Sequence, residues 1–237
     1  MTTVFQHGTL GMLMEGVLGG TITFQEVLKH GDTGIGTLEG INGEVIVLDG
    51  EVYQAEPSGK INHITDLATT MPFTTMTFIK ENAVPMQLGA TNGQGLNEFA
   101  MEHGMKNVFA SFKLHGTFPY VKVRIAPGSK PPYPTLAEIA ANQPEFEREQ
   151  VVGTLVGFFS PALYEGVTAA GWHLHFLSDD HEFGGHLLDC VTGDLEGVYQ
   201  IFDDFDLHLP INDAAFRGHD QNLDGLAAGI KAAEGME

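Results

Sequence analysis

Apolar and polar positions alternate over most of this chain, and a period of two marks half-buried strands. Residues 36–40, 44–48 and 51–55 read as a meander, turned by Ile41-Asn42-Gly43 and then by the strong hairpin pair Asp49-Gly50. Further strands are predicted at 74–80, 108–115, 120–126, 151–159, 171–177, 187–191 and 195–202, the last extending toward 209. Helical spacing is rarer. Met12, Leu13, Val17 and Leu18 carry it, as do Leu96, Phe99 and Ala100 within 92–105. Residues 24–30 and 136–142 read as short helices with Thr23 and Thr135 as N-caps, and Glu26 and Glu138 stand where a capping box needs them. The tail, 225–237, reads as a helical, acidic end. Many short strands with a few helices predict an α+β chain with mixed, largely antiparallel sheets.

The pattern breaks at 127–135, Pro-Gly-Ser-Lys-Pro-Pro-Tyr-Pro-Thr, where four prolines in nine residues cannot enter a sheet interior. A boundary is expected there. It divides the chain into an N-terminal mixed-sheet domain, 1–130, and a C-terminal sheet domain, 131–237. Gly36-Thr37-Leu38-Glu39-Gly40-Ile41 is echoed by Gly153-Thr154-Leu155-Val156-Gly157-Phe158, so the two halves use similar strand entries. The glycine-dense Gly31–Thr37 lacks the lysine of a phosphate loop and reads as a tight turn into a strand.

Charge narrows the partners. With 31 acidic and 11 basic residues, a net of -20, the chain lacks the clustered Lys and Arg that nucleic acid or an anionic membrane surface requires. A small anionic substrate would need a local positive centre. No stretch has the length of a transmembrane helix, and no basic, apolar leader opens the chain, so the expected location is cytoplasmic. The single cysteine, Cys190, sits among Leu187, Leu188 and Val191 and reads as a buried thiol.

The chemistry concentrates in Trp172-His173-Leu174-His175-Phe176, followed by a turn-rich segment and His186. In a strand, side chains two apart share a face. His173 and His175 then point one way, and Trp172, Leu174 and Phe176 the other. A hairpin return would bring His186 across from the first pair. Three imidazoles converging with a position left open suit Zn²⁺. The competing reading is a polar strand face whose histidines are satisfied by neighbours. His181, in the turn, reads as solvated.

Two other residues draw notice. Arg124 shares a face with Tyr120 and Lys122, either as a solvated strand face or as a clamp for a carboxylate. Glu44 opens an apolar strand on the face of Ile46 and Leu48, where burial would raise its pKa toward that of a general acid.

Taken together, Gly31–Thr37, 42–54, Phe118-Pro119-Tyr120 with Arg124, and the H-x-H…H segment followed by Leu187-Leu188-Asp189 resemble bacterial α-acetolactate decarboxylases. The resemblance runs through nearly the whole chain. It implies two α/β domains with the metal site between them, zinc dependence, a homodimer, and conversion of (S)-2-acetolactate to (R)-acetoin and CO₂. Matched by motif, His173, His175 and His186 are the zinc ligands and Glu44 and Arg124 are active-site residues. Thr37 matches a substrate-binding position. A tail glutamate also enters the site in this family; Glu234 is the best match, with Glu237 as the alternative. Site pattern and resemblance together suggest decarboxylation through a metal-stabilised enediolate protonated on one face. A cupin-type metal enzyme fits less well, because Asp179 and Asp180 stand where its motif needs glutamate. A non-catalytic metal-binding module would not need Arg124 and Glu44 near the metal.

Overall fold

Alternation becomes stacked sheets in the computed structural model, which describes residues 1–234. In chain order the elements begin with β1 (Thr3–His7), α1 (Leu10–Met14), β2 (Ile22–Thr23), α2 (Phe24–Val27), β3 (Thr33–Leu38), β4 (Asn42–Leu48), β5 (Glu51–Ala55), β6 (Ile61–Ile64), β7 (Thr70–Met71) and β8 (Phe73–Thr77). They continue with β9 (Val84–Leu88), α3 (Gly93–Glu102), β10 (Ala110–Arg124), α4 (Leu136–Ala140), β11 (Glu145–Ser160), β12 (Gly171–Ser178), β13 (Gly184–Val191), β14 (Leu195–Ile201), β15 (Asp204–His208), α5 (Ala214–Gly218) and α6 (Leu226–Glu234).

A seven-stranded sheet runs β15-β1-β8-β3-β4-β5-β6, and a six-stranded sheet runs β11-β12-β13-β10-β14-β9. The pairing is antiparallel except between β1 and β15. This is the mixed, largely antiparallel α+β architecture that the alternation indicates.

The two strands predicted at 108–115 and 120–126 are one strand, β10, which runs through Gly116 and Pro119. Its length has a topological consequence. One edge of β10 pairs with β11 along almost its whole length, while the other pairs with β14 and then with β13. β12 joins β11 to β13, so β10, β11, β12 and β13 close on themselves. β10 precedes the proline-rich segment and β11 follows it, so this sheet draws strands from both sides of residue 130.

Apolar side chains fill four spaces, one of which holds Phe24, Val45 and Val47 on the face of β4 turned away from Ile46. Trp172, Leu174 and Phe176 point into the closed strands with Phe112, Leu114 and Phe118. The opposite face of β12 carries Leu177, which meets Ile35 and Ile46 of the seven-stranded sheet together with Val156 and Phe158 of β11. Beside this inter-sheet layer, α1, α4 and α6 gather Leu10, Leu13, Leu136, Ile230 and Ala233 against Phe73, Ile41 and Ala126.

Local signals explain the helix starts. Thr135 and Glu138 make the full capping box that the spacing predicts. Thr23 caps α2 by accepting from the Glu26 N–H, but the Glu26 side chain turns to Lys29 at 2.5 Å, so the second half of that box does not form. An ion pair one turn along outcompetes the backward reach to the cap.

Candidate active site

The strand pattern of β12 sets the first two histidines, and cross-strand register sets the third. His175 stands directly opposite His186 in the β12–β13 ladder. The three rings lie 4.9–5.5 Å apart by centroid, and one ring nitrogen from each falls within 4.8 Å of the others. His181 remains outside this group, exposed in the hairpin turn with its ring 4.5 Å from Tyr53.

His175 is 1% exposed. Its Nδ1–H donates to the Val45 carbonyl of β4 at 2.8 Å, so its Nε2 carries the free lone pair. That Nε2 is buried without a hydrogen-bond partner among the described residues, and Glu44 Oε2 faces it at 3.5 Å. A buried lone pair opposite a carboxylate calls for a proton or a cation between them. Burial lowers the pKa of His173 to about 3, with the Arg124 charge adding to the effect. Burial also holds His175 well below its ordinary value, helped by His173 and Arg124 and opposed by the Val45 carbonyl. Neutral imidazoles of this kind are what a transition metal binds, and the Val45 bond is the outer contact that orients such a ligand. The donor set therefore fits a metal ion.

Glu44 is 6% exposed and lies on the Ile46 face of β4, as the alternation requires. The preceding turn needs Gly43, whose φ is 77° and where a Cβ would stand 2.2 Å from the Ala55 carbonyl. The Thr37 hydroxyl donates to the Gly43 carbonyl at 2.8 Å and fixes this turn. The Ala126 N–H donates to Glu44 Oε1 at 3.1 Å.

Arg124 ends β10 and pairs across the ladder with His186. Of the two readings of its strand face, the structure buries Arg124 to 8% exposure, while Lys122 reaches Glu145 at the surface at 2.6 Å. One Arg124 amino group donates to the Gln143 side-chain oxygen. Arg148 forms a two-pronged pair with Asp180 at 2.5 and 3.1 Å, which accounts for it as a surface ion pair. Cys190 is buried and free, its pKa pushed up to about 12 by burial and by Asp189.

A cavity of about 40 Å³ joins these groups. Its polar side carries His173, His186, Glu44, Arg124, Gln143 and Thr37. Its apolar side is the helix cluster: Leu10, Leu13 and Leu136, with Phe73, Ile41 and Ala126. Glu237 lies outside the described residues, and so does the side chain of Glu234, whose backbone ends α6. Gln143 was not singled out in the sequence. It lies in a polar connection after α4, and only the pairing of β10 with β11 brings it to Arg124.

Fold and site define an α+β enzyme with a buried three-histidine group able to hold a metal ion. A family model described as alpha-acetolactate decarboxylase matches residues 4–223. The alpha-acetolactate decarboxylase of Lactococcus lactis subsp. cremoris is 37% identical over 235 residues, covering 99% of both chains. That of Methylococcus capsulatus is 39% identical over 189 residues, 78% of this chain and 72% of the other. The crystal structure of alpha-acetolactate decarboxylase from Bacillus subtilis strain 168 superposes with a TM-score of 0.93 at 30% identity, covering 98% of this chain and 99% of that one. The chain belongs to the alpha-acetolactate decarboxylase family and is a carbon–carbon lyase.

Proposed function

We propose that this protein converts (S)-2-acetolactate to (R)-acetoin and CO₂, with Zn²⁺ held by His173, His175 and His186. The observation that carries this reading is the buried Nε2 of His175, without a hydrogen-bond partner among the described residues and 3.5 Å from Glu44, in a group of three converging imidazoles. The chemistry that a bound Zn²⁺ supplies is Lewis acidity, which lowers the energy of negative charge developing on substrate oxygens.

The chain's own residues do the rest. Arg124 is the fixed cation in the cavity and draws in and orients the substrate carboxylate, against the field of a chain with net charge -20. Loss of CO₂ leaves an enediolate, and Glu44 delivers a proton to one face of its carbon. The Ala126 N–H holds the Glu44 carboxyl for this transfer. Thr37 serves the substrate side by securing the turn that presents Glu44. The leucine wall packs against the substrate's methyl groups and excludes water.

Glu234 acts as the second proton-transfer group in this proposal, with Glu237 as its alternative. Support comes from α6, whose Ile230 and Ala233 are buried in the same cluster as the cavity-lining Leu10, Leu13 and Leu136. Homodimeric assembly, which rests on the family resemblance, and a cytoplasmic location belong to the same reading. Incubation with racemic acetolactate, with and without a chelator, tests it by reading acetoin and its configuration. His173→Ala should lose both zinc and acetoin formation. Full activity without metal would overturn the proposal.

A further inference from the structure

Gln143 joins α4 to β11 and lines the cavity beside Arg124, Glu44, His173 and His186. Its place is firmly set. It precedes Pro144, which restricts its backbone, and the Pro144 carbonyl accepts from the Ile125 N–H at 3.0 Å, next to Arg124. A guanidinium only donates, so the oxygen of the Gln143 amide must be the atom facing Arg124. The amide nitrogen then points elsewhere. It is buried, with no hydrogen-bond partner among the described residues.

A buried amide donor without an acceptor is uncommon in folded proteins and demands an explanation. An acceptor that arrives with the substrate supplies one. A carboxylate has two oxygens and accepts from several donors at once, so it can take Arg124 and Gln143 together. We propose that Gln143 binds substrate: its Nε2–H donates to the carboxylate of 2-acetolactate, and its Oε1 holds the Arg124 guanidinium toward that same carboxylate. This rests on the decarboxylase reading above and assigns the carboxylate subsite within it.

Two variants test it. Gln143→Glu keeps the acceptor for Arg124 but replaces the donor with a like charge facing the substrate. Gln143→Met keeps the length and removes both polar atoms. Two inhibitors read the subsite in the zinc-loaded enzyme: 2-hydroxy-2-methylpropanoate, which has the carboxylate, and acetoin, which lacks it. Gln143→Glu should raise KM for acetolactate and Ki for the hydroxy acid by about tenfold or more, while Ki for acetoin stays within about twofold. Gln143→Met should show the same preference if the glutamate variant does not fold. Equal weakening of both inhibitors, or an unchanged Ki for the hydroxy acid, overturns the proposal. A wild-type enzyme that makes no acetoin defeats the decarboxylase reading instead, and calorimetric binding of the hydroxy acid to wild type and variants then still decides whether Gln143 holds a carboxylate.

Discussion

Replacing Glu44 with glutamine separates the fold from the chemistry. In the native chain Glu44 Oε1 accepts from the Ala126 N–H at 3.1 Å and Oε2 lies 3.5 Å from His175 Nε2. In Glu44→Gln the amide oxygen still accepts from Ala126, and the exchange of a carboxyl for an amide acceptor costs about 1 kcal/mol. The new amide N–H₂ faces the His175 lone pair, and closing that gap by about 0.5 Å makes a hydrogen bond worth about 1 kcal/mol. The two effects nearly cancel. In chelator, the thermal midpoint should therefore move by less than about 4 °C, since ~1 kcal/mol corresponds to about 2–4 °C for a domain of this size. The site responds differently, because the same new bond occupies the nitrogen that a metal needs. Metal affinity should fall by about 10–100-fold, the usual consequence of disturbing a ligand's immediate partner. Turnover should fall by about 10²–10⁴-fold with the loss of the proton donor. The assay combines melting in chelator, metal content after dialysis, and acetoin formation at saturating zinc. A variant with full metal content and kcat within about threefold of wild type would refute the reasoning.

Removing the metal should stabilise nothing: adding zinc at 100 times its Kd raises stability by about 2.7 kcal/mol, read as a higher thermal midpoint, and His186→Ala should abolish that rise. Acid should weaken the metal-free protein through buried neutral histidines. Burial, then the neighbouring His208, lowers the pKa of His7 from 6.5 to about 4. The unfolded chain therefore takes up this proton first, and stability present above pH 6.5 is lost as pH falls toward about 4. The loss approaches ~3 kcal/mol for this residue, so His7→Gln should flatten the pH dependence of urea unfolding between pH 7 and 4.5. Phe176 is fully buried against Phe118, with ring centroids 5.0 Å apart. Phe176→Ala should cost about 3–5 kcal/mol in the same unfolding measurement.

Individual elements show how far local pattern reaches. The face of Glu44 was legible, because Ile46 and Leu48 share it and Val45 and Val47 pack on the other side of β4. Arg124 was not, because Tyr120-Val121-Lys122-Val123-Arg124 alternates in the same way for a solvated face and for a buried one. A shift in the β10–β13 register between Lys122 and Val123 precedes the pairing of Arg124 with His186. The continuity of β10 through Gly116 and Pro119 was also hidden. Both residues read as breaks, but partners on both edges of the strand carry it past them.

By itself the sequence determined the direction of each histidine on β12, the hairpin that returns His186, and the family to which these residues conform. These depend on the two-residue period of a strand and on turn chemistry, which act over a few residues. Tertiary structure alone decided that Glu44, Arg124 and Gln143 meet the histidines at one cavity. That convergence depends on the stacking of two sheets and on ladder register between segments far apart in the chain. A shift of one residue in that register would turn the same side chains to the opposite face.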